Sequence, residues 1–563
     1  MEEKFVNVII DDVTYSARVG QSILDVCKEH GIDIPTLCYL KDLNKPASCR
    51  VCVVEWINNR NKIVTSCNTE VVDGMEISTN SPRVLSARKT NLELLLSNHN
   101  KDCINCFKSG KCSLQRYSVE YDCDIEKFAG AKSTSHIDDS NPCIIRNDSK
   151  CILCGKCVAV CDKIQSIHAI NKVNRGFETQ VGTAYNRPMG DSPCVGCGQC
   201  TLVCPTGALT ENLDIQKVEG YLADPNLKTI CMVAPSVRAS LGEEFGLTIG
   251  HNCEEQMVQA IHMLGFDKVY DVNVGADITI VEEANEFIHR LSNGGTLPLF
   301  TSCCPAWVNM IEKEYPEFVD NLSTCKSPNE MMGSIVRHME NNENVRIVSI
   351  MPCTAKKGEV ARFGNINASL TTRELAYLIN KHEIPFAKLN GQAFDNPFEE
   401  YTGAGIIFGA TGGVMEAALR TAYHKLTGEV PSPLAFTAVR GTDGIKEADI
   451  KIGDTTISVC VASSLSKAKE VLELIKSGKK TYHFVEVMAC PGGCVNGGGQ
   501  VAVDNNTHSK AFVAKTRGEV LYAVDKKLAL KLSHLNPTVL SLYDNVLTGD
   551  LPHELLHVHR DHK

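Results

Sequence analysis

Cys151-Ile-Leu-Cys-Gly-Lys-Cys-Val-Ala-Val-Cys161 and Cys194-Val-Gly-Cys-Gly-Gln-Cys-Thr-Leu-Val-Cys204, the second followed by Pro205, decide how the front of this chain folds. Both read C-x2-C-x2-C-x3-C, and the second run lies 43 residues after the first. A run of this kind gives three thiolates to one 4Fe-4S cluster and its fourth to a neighbouring cluster. Cys151, Cys154, Cys157 and Cys204 are therefore assigned to one centre, and Cys194, Cys197, Cys200 and Cys161 to a second. The internal repeat predicts two pseudo-symmetric halves folded face to face.

The pattern resembles the bacterial two-cluster ferredoxins, and two further ligand sets precede it. His99, Cys103, Cys106 and Cys112 read H-x3-C-x2-C-x5-C, following Leu94-Leu-Leu-Ser-Asn-His. By spacing alone, one imidazole and three thiolates suit zinc or a 4Fe-4S cluster. The segment resembles the His-plus-three-Cys cluster region of large hydrogenases and respiratory complex I subunits, which implies iron–sulfur. Nearer the N-terminus, Val6–Asp11 and Thr14–Val19 alternate like paired strands, and Ser22 to His30 reads as a helix stopping at Gly31. Cys38, Cys49, Cys52 and Cys67 follow at C-x10-C-x2-C-x14-C. A four-thiolate zinc site is the alternative, but the set resembles a plant-type 2Fe-2S ferredoxin. Cys27, inside the helix, is expected to be a small core side chain. Four clusters in succession exceed what a domain this size needs as staples, so the front reads as an electron wire.

Of 27 cysteines, 18 precede residue 205, which separates a metal-dense front from a sparser, more apolar back. A chain of 563 residues should divide into several domains. Its start, Met1-Glu-Glu-Lys, does not look like a secretory signal, so the thiols are expected to be reduced and metal-bound in a cytoplasmic protein. No apolar run approaches the roughly 18 residues of a membrane span, which implies a soluble electron partner and no membrane. The formal net charge of −10 disfavours nucleic acid as a general partner.

From about residue 213 the chain changes to strand-length apolar runs separated by amphipathic helical stretches such as Asp277 to Ile288, the rhythm of α/β units with mostly parallel sheet. The run 228–233 enters Ala234-Pro-Ser, 297–300 enters Thr301-Ser-Cys-Cys-Pro-Ala-Trp, 345–350 enters Met351-Pro-Cys, and 483–488 enters Ala489-Cys-Pro-Gly-Gly-Cys. Ligands bind beyond the carboxyl ends of parallel strands, so these loops can converge on one site.

TSCCPAW at 301–307, MPCTAKKGE at 351–359 and EVMACPGGCVNGGGQ at 486–500 closely resemble the three signature segments of the FeFe-type (iron-only) hydrogenases. The resemblance, with the front clusters, spans nearly the whole chain. It implies that Cys304, Cys353, Cys490 and Cys494 hold a 4Fe-4S cubane, with Cys494 bridging to a diiron subcluster that carries CO, CN and azadithiolate and is inserted by maturases. Together these form the H-cluster. It implies Cys303 as proton donor to that group, with Glu283, Ser323, Glu286 and Arg290 carrying protons outward. Lys356 would donate to an anionic cyanide. Ala234, Pro235, Ser236, Met351 and Met488 would surround the distal iron, although ordinary core packing is an alternative for the two methionines. Gly492, Gly493 and Gly497 to Gly499 are expected to let backbone approach the cluster. Glu283 and Glu286, three apart, share one helix face, and a surface amphipathic helix is the bland alternative.

The implied architecture is a multidomain α+β front and a large α/β catalytic domain with two lobes of mostly parallel sheet flanked by helices. Expected domains are 1–80, β-grasp 2Fe-2S ferredoxin-like; 81–124, His/Cys3 4Fe-4S; 137–212, two-4Fe-4S ferredoxin-like; and 213–563, the H-cluster domain. The implied reaction is reversible oxidation of H2 coupled to ferredoxin. The five basic residues Lys41, Lys45, Arg50, Arg60 and Lys62 against Asp42 and Glu55 suit an acidic ferredoxin. Ala306, Gly358 and Asn329 depart from the commonest family residues, which bears on rate and oxygen tolerance. Cys27, Cys123, Cys143, Cys231, Cys253, Cys325 and Cys460 have no assigned ligand role. His553, His557, His559 and His562 read as a polar surface tail. Rival readings are a hydrogen sensor, a cluster-assembly relative, or the catalytic subunit of an NADH-linked assembly.

Overall fold

The computed structural model describes residues 4–431, 433–442, 444–503, 508–558 and 560. Strands Phe5–Ile10 and Val13–Arg18 pair antiparallel through a turn at Asp11 and Asp12, two residues that tolerate the left-handed φ of 47° and 66° found there. They join a five-stranded mixed sheet in the order Val13–Arg18, Phe5–Ile10, Met75–Ser78, Val53–Trp56, Lys62–Thr65. Helix Ile23–Glu29 starts at a capping box between Ser22 and Asp25 and buries Ile23, Leu24, Val26 and Cys27 against Val8, Ile10 and Val54. Cys27 is thus a core side chain.

Helix Pro82–Asn98 begins at Ser81 with proline at its first position and ends at His99. Its buried Arg88 donates to the Val53 carbonyl, fastening it to the first sheet. Cys112 caps the helix Ser113–Glu120. In the repeat region, helices Lys156–Lys163 and Gln199–Val203 pack on each other. Each starts immediately after a left-handed glycine, Gly155 (φ 75°) and Gly198 (φ 68°), so the sequence repeat is also a repeat of backbone conformation. Strands Leu209–Glu211, Ile144–Asn147 and Ile137–Asp138 form a small sheet beside them.

The back half holds two four-stranded sheets. One is wholly parallel, ordered Lys268–Asp271, Lys228–Val233, Val345–Met351, Ala368–Thr371. In the other, Leu299–Phe300, Phe484–Met488 and Thr455–Ser463 run parallel, and Ile445–Ile452 closes one edge antiparallel. Ile230 to Val233 and Ile347 to Ile350 are completely or almost completely buried, as strands covered on both faces require.

Helix Asn273–Asn293 packs against helices Pro328–Glu340 and Gly413–Thr427. Asp277, Thr279 and Glu283 are all buried, which goes against the alternative of a surface amphipathic helix. Asp277 is tolerated because it accepts from Thr402 N (3.0 Å), Ser533 Oγ (2.7 Å) and Asn536 Nδ2 (2.9 Å).

Helices Lys510–Lys527, Pro537–Asn545 and Leu551–Leu556 finish the chain. The reading of the final histidines as a surface tail is corrected for His557, whose Nδ1 lies 2.9 Å from Thr324 Oγ1 and Nε2 3.3 Å from Glu282. His559 and His562 lie outside the described residues. Among the described residues, no helix is long and apolar enough to cross a membrane.

Candidate functional site

The front ligand sets form a connected series. Cys38, Cys49, Cys52 and Cys67 are buried, with Cys38 hydrogen-bonded to Cys49 and Cys52 to Cys67. Asn44 Nδ2 donates to both the Cys38 carbonyl (2.7 Å) and the Cys154 carbonyl (3.0 Å), joining the first set to the third. His99 is buried with an unpartnered Nδ1, and burial lowers its pKa to about 4, leaving a neutral ring. Its companion Cys106 lies against Gly207, three residues beyond Cys204. Cys204 falls within the electrostatic reach of Cys151, Cys154 and Cys157, whereas Cys161 acts on Cys194, Cys197 and Cys200. The fourth sulfur of each run therefore faces the opposite set.

In the back half, the loops after Lys228–Val233, Leu299–Phe300, Val345–Met351 and Phe484–Met488 do converge. They surround a cavity with about 830 Å³ of atom-free space, lined by Cys303, Cys304, Cys353, Cys490 and Cys494. Ala234, Pro235, Ser236, Met351, Met488 and Lys356 also face it, together with Cys197 from the front. Burial, reinforced by neighbouring sulfurs, pushes the Cys353 thiol up to about 12 and raises Cys490 and Cys494 as well. A cationic metal group bonded to the sulfurs removes that penalty. Lys356 Nζ donates to Glu359 Oε2 (2.7 Å) and the Cys303 carbonyl (3.4 Å).

Cys303 lines the cavity, and burial followed by the charge of Glu283 keeps it a thiol. Glu283 is inaccessible to solvent, and neither carboxyl oxygen meets a hydrogen-bond partner of good geometry, although the Ser302 backbone and Ser323 hydroxyl lie beside it. Burial, then the charge of Glu286, raises its pKa to about 8. Ser323 Oγ donates to Glu286 Oε2 (2.7 Å), and Arg290 Nη2 donates to Glu286 Oε1 (2.6 Å). The five groups thus form a file from the cavity outward, with Arg290 at the partly exposed end.

Sequence comparison places this arrangement among known proteins. Residues 227–498 match the family described as iron only hydrogenase large subunit, C-terminal domain. "NADP-reducing hydrogenase subunit HndD" of Solidesulfovibrio fructosivorans is 44% identical, with 98% of each chain covered. The chain belongs to the FeFe hydrogenases. "Iron hydrogenase 1" of Clostridium pasteurianum is 39% identical to this hydrogenase over 98% of its length and 99% of the relative's. A solved apo [FeFe]-hydrogenase HydA1 from Chlamydomonas reinhardtii superposes with a TM-score of 0.55 at 36% identity, covering 61% of this hydrogenase and 98% of that chain. Residues 3–82 match a 2Fe-2S iron-sulfur cluster binding domain, 88–126 the NADH-ubiquinone oxidoreductase-G iron-sulfur binding region, and 150–208 a 4Fe-4S dicluster domain. The zinc alternatives for the first two sets give way to iron–sulfur. Residues 512–560 match the iron hydrogenase small subunit.

The hydrogenase's cavity fits an H-cluster by its donors: four soft thiolates on one side and unsatisfied polar atoms elsewhere. Ser236 Oγ and both amide atoms of Asn329 are buried, face the cavity and lack partners. Gly493 and Gly497 line the cavity, and the glycines of this segment are also crowded by protein backbone. A β-carbon at Gly497 would overlap the Pro352 carbonyl and one at Gly498 the Cys197 carbonyl, while one at Gly493 would sit 2.6 Å from Thr411 N. At these positions glycine lets loops of the hydrogenase approach one another. Sequence reasoning missed Phe408 and Gly409 on the cavity wall, and Arg373, whose guanidinium binds Glu211, Thr201 and the carbonyls of Gly498 and Gln500. No spacing marks them; only an inventory of buried charges would have suggested Arg373.

Proposed function

We propose that this hydrogenase reversibly oxidises H2 at an H-cluster that Cys304, Cys353, Cys490 and Cys494 would hold. Carrying this reading is the cavity itself, which meets Cys197 of the wire on one side and Cys303 of the acid file on another. When bound, the group supplies the redox centre at which protons and electrons combine into H2. The protein's own residues do the rest. Cys303 at the cavity wall holds a proton at Sγ, and Glu283, Ser323, Glu286 and Arg290 move it outward, the last three already joined by hydrogen bonds. Lys356 places a cation at the cavity wall, while Ala234, Pro235, Met351 and Met488 exclude water from it.

One 2Fe-2S and three accessory 4Fe-4S clusters, in domains 1–80, 81–124 and 137–212 ahead of the catalytic domain 213–563, would carry the electrons. The 2Fe-2S set and the His99 set both adjoin the Cys151/Cys154/Cys157/Cys204 set, giving the wire two outer branches. Ferredoxin is one carrier, docking on Lys41, Lys45 and Arg50; neutralising all three should raise KM for ferredoxin but not for a small dye. A second reading, the catalytic subunit of an NADP-linked assembly, is favoured by the likeness to HndD over 98% of both chains. Purification from the native cells separates the two: a co-purifying subunit conferring NADPH-dependent H2 evolution supports the second, and activity with ferredoxin alone the first.

A further inference from the structure

Lys356 lines the four-cysteine cavity, and Lys510 lines a neighbouring one with Gln199, Pro491 and Asn496. Lys356 is held by a carboxylate, Glu359, and acts on Cys353 and Cys303. Lys510 is placed differently. Its Nζ lies 3.4 Å from Gln199 Oε1, and among the described residues the charges acting on it are those of Cys490 and Cys197. Those sulfurs belong to two different ligand sets, the cavity's and the wire's.

Gln199 completes the connection. It follows Cys197 by two residues, is almost wholly buried and donates from Nε2 to the carbonyl of Asn496 (2.9 Å), which lies in the loop that carries Cys490 and Cys494. Asn496 in turn donates to the Lys510 carbonyl (2.9 Å), so the lysine's backbone is tied to the same loop as Cys490 and Cys494. Lys510 is also the first residue of the helix Lys510–Lys527, where the backbone amides already present positive potential. A lysine there runs against the helix dipole, and burial lowers its pKa further. Lys510 is half-buried, and a local rule broken at this junction points to a role for the charge.

We propose that Lys510 is an electrostatic positioning residue for electron transfer, its ammonium and the Gln199 amide together stabilising added negative charge on the two clusters ligated by Cys197 and Cys490. The proposal rests on the assignment of those cysteines to the last cluster of the wire and to the cubane. A thiolate-ligated cluster gains one negative charge on reduction, and a fixed cation in a poorly screened interior favours that state. Lys510 would thereby favour the arrival of electrons at the junction of wire and cubane without touching the reacting atoms.

The test is an EPR-monitored redox titration of the full-length, cluster-loaded protein as wild type, Lys510→Gln and Lys510→Arg. In Lys510→Gln, the potentials of the cubane and of the adjacent accessory cluster should both move negative, while the 2Fe-2S potential stays in place; Lys510→Arg should stay near wild type. Unchanged potentials in Lys510→Gln, or an equal shift of every cluster through general loosening, would overturn the proposal. A wild type without these two cluster signals would overturn the ligand assignment as well, which separates the two failures.

Discussion

Replacing Glu283 by Gln keeps the shape of a side chain that is inaccessible to solvent and removes its proton-exchanging group. In the fold, burial and the neighbouring Glu286 raise the pKa of Glu283 from 4.5 to about 8. Between those values the folded protein holds a proton that the unfolded chain releases, so stability falls as pH rises through the window and the cost is complete above about 8. At about 1.36 kcal/mol per unit, the ionised form costs about 5 kcal/mol, which Glu283→Gln does not incur. Denaturation of wild type and variant at about pH 6 and about pH 8.5 should therefore show the variant gaining relative stability at the higher pH. Its H2 evolution should fall by about 10²- to 10⁴-fold, the usual worth of a positioned proton-transfer group. A variant that evolves H2 within a few-fold of wild type, or whose relative stability is the same at both pH values, would refute the reasoning.

Arg373→Leu leaves Glu211 buried without its guanidinium and should cost about 3–5 kcal/mol in denaturation experiments, with Arg373→Lys recovering part of it. Gly498→Ala forces a β-carbon into the Cys197 carbonyl and should lower stability by about 1–3 kcal/mol while slowing dye-to-H2 electron flow more than it alters the infrared bands of the cofactor. Cys304→Ala should lower the iron content of the matured protein by about six irons per chain, four of the cubane and two of the diiron unit, and abolish turnover, with the front clusters still visible by EPR.

Much of this was legible in the sequence because cluster chemistry fixes ligand spacing. The C-x2-C-x2-C-x3-C runs announced both the sulfur exchange between Cys161 and Cys204 and the paired helices behind Gly155 and Gly198. The active-site loops were legible for another reason: they follow buried apolar strands, and parallel sheets present their carboxyl ends together. What stayed hidden depends on contacts between distant segments. Gly498 against Cys197 and Lys510 beside Gln199 have no local signature, because a glycine's need for space and a lysine's surroundings appear only once the two segments meet. The stretch from Asp277 to Ile288 is the middle of the longer helix Asn273–Asn293, whose buried Asp277 is satisfied by Thr402, Ser533 and Asn536, more than a hundred residues away.

Infrared spectroscopy of the matured protein, taken with an H2-evolution assay on reduced dye, tests the central claim most directly. The account predicts carbonyl and cyanide stretches in wild type and in Cys303→Ala alike, with turnover lost only in the latter. Full iron loading without those stretches, or undiminished H2 evolution by Cys303→Ala, would contradict it.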